Sequence, residues 1–197
     1  MDVLAPAFRE PVTANQAVFR AIMEALARPG EVKALAQVVT APSPLSATAA
    51  AVAVALLDYE TPLWLDSPLA GKPAIAQWIR FHTGARVTAD PRQASFAIIA
   101  EAADPPSFDH FALGTAEYPD RSTTLVLQVE RFGSGQCLSL SGPGVAGVRT
   151  LSAEPLPPDL HERLGVNHAL FPRGVDLILV SRNSVAALPR SVIAQRG

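Results

Sequence analysis

The sequence predicts a mixed α/β fold, formed as one domain by residues 1–197. A chain of 197 residues can form one large domain or two small ones, and one domain is the more common arrangement at this size. Apolar residues make up 49% of the chain and charged residues 17%, which supports a sizeable core and argues against disorder. Helix-type patterns come first and strand-type patterns cluster later, but the two also interleave. This order favours a mixed sheet with helices packed on it.

The first helix is predicted by its capping pattern and its apolar period. The segment TANQ at residues 13–16 has the capping-box pattern, in which the threonine hydroxyl and the glutamine amide bind backbone groups at a helix start. Apolar residues then recur three and four apart, which predicts one buried stripe. The residues of that stripe are Val18, Phe19, Ile22, Met23 and Leu26. The segment RPG at 28–30 should end the helix.

Two further helices and three strands are predicted along the chain. One helix covers about 46–57 and is apolar on nearly all sides, and another covers 74–81 and ends at Gly84. The runs 61–65, 96–100 and 175–180 are typical of strands, and the run at 96–100 is apolar throughout, as in strands covered on both faces. Residues 107–113 are expected to form a short helix.

The clearest predicted hairpin lies in the second half of the chain. Apolar residues at 125, 127 and 129 would share one face of its first strand, and the glycine-containing segment 131–135 would turn the chain. The returning strand would then direct its leucines inward. We therefore expect Leu125, Leu127, Leu138 and Leu140 to lie on one buried face.

Composition excludes several classes of function. The formal net charge of −2 offers no basic surface for nucleic acid or membrane, so neither is expected as a partner. One cysteine, Cys137, cannot form a disulfide framework and suits a reducing compartment. The segment MDVLAPAFREPV lacks the pattern of a signal peptide, and the longest apolar run, 47–57, is too short to cross a bilayer. A cytoplasmic protein is expected.

Residues 142–147, GPGVAG, match the dinucleotide-binding string G-x-G-x-x-G. That string binds a pyrophosphate only where it follows a strand and opens a helix. The alternating residues before it predict the strand, but the prolines at 155, 157 and 158 and the lack of a helical period argue against the helix. We interpret the segment as a tight turn that ends a strand, where glycine supplies unusual backbone angles.

No metal site is predicted. His161 and Glu162 begin the pattern H-E-x-x-H, but Gly165 stands where the second histidine is required. His168 could share a helix face with His161, yet two histidines alone make a poor metal site.

No self-sufficient nucleophile or acid–base pair is predicted either. Cys137 lies in an alternating strand pattern, where a lone cysteine more often packs than reacts. Asp58 and Glu60 could converge as catalytic carboxylates, or they could cap and pair locally, which is the favoured interpretation.

Seven segments, in their order and spacing, resemble one known family. They are FREPVTANQAVFRAIMEALARPG (8–30), LLDYETPLWL (56–65), FHTGA (81–85), GTAEYPDRSTTL (114–125), LSLSGPGV (138–145), FPRGVDLIL (171–179) and ALPRS (187–191). The set resembles the PhnH family, whose members are core-complex subunits of bacterial carbon–phosphorus lyase. The likeness covers nearly the whole chain and rests on the ordered set, not on one motif.

The resemblance implies a fold and a kind of assembly. The fold would be a three-layer α/β/α sandwich with a mixed sheet, similar to the pyridoxal-phosphate-dependent transferases but without that cofactor. Lys33 and Lys72 agree with this, because neither lies in a pattern expected of a buried Schiff-base lysine. The GPG turn would close a strand and bind no dinucleotide. The partners would be other core subunits of carbon–phosphorus lyase, and the isolated chain would be a homodimer.

The function that the resemblance implies is a part in phosphonate catabolism. The assembly joins a phosphonate to the ribose of ATP and displaces adenine, before a separate radical step breaks the carbon–phosphorus bond. The chain would be a non-autonomous subunit of this transferase complex. Three roles stay open: an interaction subunit that shapes the complex, a subunit that contributes side chains to a shared active site, and an independent small-molecule enzyme.

Arginines are the candidates for any contact with phosphate or phosphonate oxygens. Arg28, Arg173 and Arg190 each lie in a proline-flanked turn that fixes the backbone. For each, capping a helix or pairing with a carboxylate is the alternative role. The resemblance supplies no catalytic residue, so none is assigned.

Overall fold

The computed structural model describes residues 11–36 and 39–197. In chain order these residues form α1 (Pro11–Ala27), β1 (Lys33–Ala34), α2 (Ala47–Leu56), β2 (Leu63–Leu65), α3 (Ser67–Ala70), α4 (Pro73–Thr83), β3 (Phe96–Ile99), β4 (Thr124–Gln128), β5 (Arg131–Ser141), β6 (Arg149–Glu154), α5 (Leu160–Ala169), β7 (Asp176–Val180), β8 (Ser184–Leu188) and β9 (Ile193–Arg196). Short 3₁₀ helices lie at Pro91–Gln93, Phe108–His110 and Pro119–Arg121.

The main sheet has six strands in the order β1-β8-β7-β4-β3-β2. Strands β2, β3, β4 and β7 are parallel neighbours, whereas β8 is antiparallel to both β7 and β1. Val126 of β4 lies between Ile98 of β3 and Ile178 of β7. The predicted mixed α/β fold is therefore confirmed, and the apolar run at 96–100 does contain a strand covered on both faces.

The predicted hairpin is wrong. Strand β4 pairs with β3 and β7 inside the main sheet, whereas β5 belongs to a second, three-stranded antiparallel sheet of order β6-β5-β9. Residues 131–135 do not turn the chain but form the first part of β5, where the pairing with β6 shifts register between Phe132 and Gln136. Parallel neighbours occupy both edges of β4, so no edge is left for β5.

The two faces of the main sheet are covered by different layers. Helices α1, α2 and α4 pack on the face that carries Ile98, Val126 and Ile178. The opposite face, with Ile99 and Leu127, packs on the second sheet and on α5. A sheet covered on both faces agrees with the expected sandwich, but the third layer is built largely from strands and not from helices.

The four leucines expected on one buried face are confirmed. Leu125, Leu127, Leu138 and Leu140 are all fully buried in the same cluster. They reach it from two sheets that face each other, since β4 and β5 are not paired.

Helix α1 is rotated relative to its prediction. The helix is already formed at Pro11, so the capping-box pattern at 13–16 lies inside it and that prediction is wrong. The buried stripe consists of Ala14, Val18, Ile22 and Ala25. Phe19 and Met23 keep 49% and 46% of their surface exposed. The small alanines allow α1 to approach α2 and β8 closely, which directs the two larger side chains outward.

The next helices follow their predicted signals. The hydroxyl of Ser46 accepts a hydrogen bond from the amide of Ala49 and so caps α2, and α4 ends at Gly84 with a left-handed φ of 76°. Among the described residues, no helix combines the length and apolarity needed to cross a membrane.

Candidate functional site

Arg190, which follows β8, lies at the centre of a hydrogen-bond cluster. Its guanidinium forms two hydrogen bonds with the carboxylate of Asp176 and a third with the hydroxyl of Ser122 at 2.5 Å. It also donates to the carbonyl oxygens of Pro119 at 2.7 Å and Pro172 at 3.4 Å. We call these five residues the Arg190 cluster. The cluster joins three loops where β4 and β7 begin and β8 ends.

The cluster uses the full donor capacity of Arg190. The guanidinium has five N–H groups, and the five contacts to its four partners account for them. Only 13% of the side chain is exposed. This arrangement gives Arg190 a structural role, because a contact with a phosphate would require some of these hydrogen bonds to be exchanged.

The other two predicted arginines are differently placed. Arg28 is exposed at the end of α1, and its Nη1 lies 3.9 Å from Oε2 of Glu31. Arg173 is exposed next to Pro172 of the Arg190 cluster, and within residues 11–36 and 39–197 its side chain forms no ion pair. Arg173 therefore lies in a turn that adjoins the Arg190 cluster through Pro172, whereas Arg28 lies on a separate loop.

The GPG turn packs against the end of α1. A side chain at Gly144 would collide with the carbonyl oxygen of Ala27 and with Cδ of Pro29. A side chain at Gly30 would in turn lie 2.8 Å from Cδ1 of Leu140, in the strand that precedes the GPG turn. The two glycine turns thus bring the helix end and β5 into contact.

The structural context of a dinucleotide site is not formed here. After Gly147 the chain continues into strand β6, and the helix that G-x-G-x-x-G requires is not present at this position. The interpretation of 142–147 as a strand-ending turn agrees with the structure.

Exposed aromatic residues lie beside the Arg190 cluster. Tyr118 precedes Pro119 and Phe171 precedes Pro172, and both aromatic side chains are largely exposed. The guanidinium carbon of Arg121 lies 4.2 Å from the centre of the Tyr118 ring, in a cation–π contact. This surface combines aromatic and arginine side chains, the types that contribute most to binding energy in protein interfaces.

A pocket of about 340 Å³ lies between α5 and the segment 107–113. We call it the α5 pocket. Its apolar wall is made by Phe108, Leu113, Val166 and Leu170. Leu113 also connects it to the Arg190 cluster, because it forms a β-bridge with Ser122 and accepts a hydrogen bond from the amide of Gly174 at 2.8 Å.

The charged residues of the α5 pocket are mainly acidic. Asp109, Asp159 and Glu162 line it together with one cation, Arg163. Arg163 donates to Asp159 at 2.9 Å and to the carbonyl of Pro105 at 2.9 Å. The hydrogen bond from Arg163 lowers the pKa of Asp159, and a hydrogen bond with Ser107 lowers the pKa of Asp109. Both carboxyl groups are therefore ionised at neutral pH.

Sequence reasoning missed this pocket and helix α5. The signal that could have found it is the spacing of Glu162, Val166 and Leu170, which are four residues apart and so share one helix face. Gly165 and the short length of the helix weaken that signal.

The opposite end of the main sheet is closed by the chain itself. Asp66 follows β2 and accepts hydrogen bonds from the amides of Ala100 at 2.7 Å and Glu101 at 3.0 Å. Burial raises the pKa of Asp66, although these hydrogen bonds oppose the shift. Gln128, at the end of β4, accepts a hydrogen bond from the amide of Ser46 at 2.6 Å.

The two lysines are separate and neither is enclosed. Lys33 is partly buried, more than its sequence context indicated, and its Nζ lies 2.6 Å from Oε2 of Glu31 and 3.7 Å from Oε2 of Glu24. Lys72 is exposed at the start of α4.

The remaining polar candidates form local contacts. His161 and His168 both lie on α5, where Nδ1 of His168 is 3.3 Å from the carbonyl oxygen of Arg190. In the described part of the chain, histidine, cysteine and carboxylate side chains form no cluster of three that could hold a metal. The carboxylate of Asp58 accepts a hydrogen bond from the amide of Glu60 at 2.9 Å. The two residues therefore form a local turn, as the favoured interpretation expects.

Comparison with known proteins identifies the family. A family model described as "Bacterial phosphonate metabolism protein (PhnH)" matches residues 6–195. The chain belongs to the PhnH family. This finding confirms the resemblance drawn from the seven sequence segments.

Two relatives of this PhnH-family chain carry further information. One, from Rhizobium meliloti (strain 1021), is named alpha-D-ribose 1-methylphosphonate 5-triphosphate synthase subunit PhnH and is 43% identical over 195 residues, which cover 99% of this chain and 97% of the relative. Another, from Stutzerimonas stutzeri, is named putative C-P lyase subunit protein HtxG and is 43% identical over 79 residues, 40% of each protein.

Five of the seven PhnH-like segments meet in the structure. Segments 114–125, 171–179 and 187–191 supply the Arg190 cluster, and segments 8–30 and 138–145 meet at Gly144. The two groups adjoin, because a side chain at Gly142 would lie 3.3 Å from the carbonyl oxygen of Ser191. These five segments of the family signature therefore form one connected region.

Proposed function

We propose that this chain is a subunit of a carbon–phosphorus lyase core complex. In that complex it would take part in coupling a phosphonate to the ribose of ATP, with release of adenine. The observation that carries this proposal is the 43% identity, over 99% of the chain, to a subunit of a ribose 1-methylphosphonate 5-triphosphate synthase. We expect this complex, with the chain in it, to lie in the cytoplasm.

An interaction role is the form of this function that the geometry favours. The Arg190 cluster uses its arginine internally, and the GPG turn is filled by the end of α1. The exposed side chains beside the cluster include Tyr118, Phe171 and Arg121, which suit a protein interface.

A contribution to a shared active site is the second candidate. Arg28 and Arg173 support it, because both expose guanidinium groups that could bind phosphate or phosphonate oxygens. Arg173 is the better placed of the two, since it follows Pro172 of the Arg190 cluster and lies next to the exposed aromatic surface.

One assay tests the function and separates the roles. ATP and methylphosphonate are added to three separate samples: the purified chain, its partner subunits without it, and the complete mixture. Adenine release is then measured in each. We expect release only from the complete mixture. Release by the chain alone would identify an independent enzyme, and undiminished release without it would refute the proposal.

The two forms of the function are distinguished with Arg173→Gln, which removes the charge. A complex that assembles normally but releases adenine at least about tenfold more slowly would favour a contribution to the active site. Normal assembly with normal turnover would favour the interaction role.

We also propose that the isolated chain forms a homodimer on a scaffold similar to that of the pyridoxal-phosphate-dependent transferases, without the cofactor. The exposed Phe19 and Met23 on α1 support self-association, because large apolar side chains on a surface are commonly covered. Light scattering at micromolar concentration tests this, and a mass near 20.7 kDa, that of one chain, would refute it.

A further inference from the structure

We propose that the α5 pocket is a docking site for a cationic side chain, lysine or arginine, presented by a partner subunit. The proposal rests on the function proposed above, because it assumes that the chain works in an assembly. It adds the location of a contact and the chemistry of the group that fills it.

The shape and lining of the pocket fit a long side chain with a charged end. A volume of about 340 Å³ accommodates one such side chain. The apolar wall of Phe108, Leu113 and Leu170 suits the methylene stem of lysine or arginine. The carboxylates at the rim suit the cationic end, which lysine and arginine keep near water.

The charges of the pocket are unbalanced in favour of a cation. Three carboxylates line it against the single guanidinium of Arg163, and that guanidinium is already bound to Asp159 and to the carbonyl of Pro105. Among the described residues, Glu162 forms an ion pair only with His161, whose Nε2 lies 3.8 Å from Oε1. Asp109 forms no ion pair within that set, although the charges of His110 and Arg92 contribute to lowering its pKa. A cation from outside would therefore find two carboxylates at the rim.

The mouth of the pocket is apolar and exposed. Val166 keeps 67% of its surface exposed, although it lies on the face of α5 that borders the pocket. Phe171 continues this exposed apolar surface just after the end of α5. An apolar surface around a charged anchor excludes water from the contact, which is the usual arrangement in protein interfaces.

The floor of the pocket is held in place before any partner binds. Asn167 is almost fully buried, and its side chain exchanges two hydrogen bonds with the backbone of Val175, at 2.8 and 2.9 Å. Leu113 is fixed by its bridge to Ser122. A site that is already ordered binds with a smaller loss of conformational entropy.

Two variants remove different features of the site. Val166→Arg places a guanidinium of the chain itself at the mouth, four residues from Glu162, where it would compete with the cation of a partner. The double variant Asp109→Asn/Glu162→Gln removes two charges with little change of shape. The matched controls are Val148→Arg, at a valine that is 69% exposed outside the pocket, and Glu60→Gln/Glu130→Gln, at two exposed carboxylates elsewhere.

The experiment measures the dissociation constant between the full chain and the co-expressed remaining subunits of the complex, at several salt concentrations. We expect Val166→Arg and the double pocket variant to weaken binding at least about tenfold, and both controls to match the wild type. We also expect the affinity of the wild type to fall more steeply with salt than that of the double pocket variant. Circular dichroism and thermal unfolding confirm that each variant is folded.

The outcomes separate the two proposals. If Val166→Arg and the double pocket variant both bind the other subunits as tightly as the wild type does, the docking site is overturned while the proposed function stands. Equal salt dependence of the wild type and the double variant would also overturn it. A wild-type chain that binds none of the other subunits would refute the proposed function itself.

Discussion

Arg190 and Asp176 are joined by three hydrogen bonds. The carboxylate of Asp176 accepts the backbone amide of Arg190 at 2.8 Å, Nε at 3.1 Å and Nη2 at 2.5 Å. Asp176 is the first residue of β7, and Arg190 lies two residues after β8. The pair therefore closes the β7–β8 hairpin at the end opposite its turn and fixes the loop that follows.

We expect Arg190→Lys to destabilise the fold. Lysine cannot supply the planar set of donors that binds Asp176, Ser122 and Pro119 together, so several of these hydrogen bonds would be lost, although the backbone amide of residue 190 would still bind Asp176. The free energy of unfolding should fall by about 2 kcal/mol, measured by urea denaturation. Arg173→Lys, at an exposed arginine of the neighbouring turn, should leave it unchanged. Equal stability of both variants would remove the structural role of Arg190.

Gly144→Ala should destabilise the chain much more than Gly147→Ala. Both glycines have a left-handed φ, 79° and 71°, so an alanine at either position adds backbone strain of about 1 kcal/mol. A side chain at Gly144 also collides with Ala27 and Pro29, whereas Gly147 has open space around it. Thermal unfolding of the two variants measures the difference. A larger loss at Gly147 would contradict the packing of the GPG turn on α1.

The stability that depends on Asp66 should vary with pH. Its folded-state pKa is raised by burial above 3.8, so the folded chain binds this proton more tightly than the unfolded chain. The free energy of unfolding contributed by Asp66 is therefore largest below 3.8 and falls as the pH rises through the raised pKa. Urea denaturation of wild type and Asp66→Asn across this range isolates the effect.

The stability difference between wild type and Asp66→Asn should accordingly shrink as the pH rises. The variant is still expected to be less stable, because Oδ2 of Asp66 accepts from Ala100 and Glu101 while Oδ1 accepts from the amide of Leu69 at 3.4 Å, and an asparagine can place its carbonyl oxygen at only one of these two positions. A difference that grows with pH would show that the hydrogen bonds outweigh burial and that the pKa is lowered.

The chain is expected to carry no pyridoxal phosphate. Lys33 is paired with Glu31 and Glu24, and Lys72 is exposed, so neither provides the enclosed amine that a Schiff base requires. The absorption spectrum of the purified chain should show no visible band that borohydride bleaches. A bleachable band that is absent from Lys33→Arg or Lys72→Arg would contradict this expectation.

Local signals in the sequence predicted the ends of two helices better than they predicted which strands pair. Ser46 and Gly84 act within a few residues of their own helix, and both ends were predicted correctly. The neighbours of β4 are set by parallel pairing with β3 and β7, which lie far away in the chain. The nearest strand in sequence, β5, is not its partner, so a hairpin inferred from closeness was wrong.

The candidate site also depends on contacts between distant parts of the chain, which local signals do not reveal. Arg190 could be selected from its proline-flanked turn, but its partners Asp176 and Ser122 are 14 and 68 residues away, so its role could not be inferred. The α5 pocket requires the segment 107–113 to lie against α5, a contact between regions some 50 residues apart. Such contacts depend on the order of strands in the sheet, which no local pattern specifies.

The position of the Arg190 cluster has a consequence for assembly. In open α/β sheets small ligands usually bind where parallel strands finish, and here that end is closed by Asp66 and Gln128. The Arg190 cluster and the exposed aromatic residues beside it lie instead where β4 and β7 start. A protein that contacts the Arg190 cluster and these aromatic residues would therefore leave the far ends of the strands, where Asp66 and Gln128 lie, outside the contact.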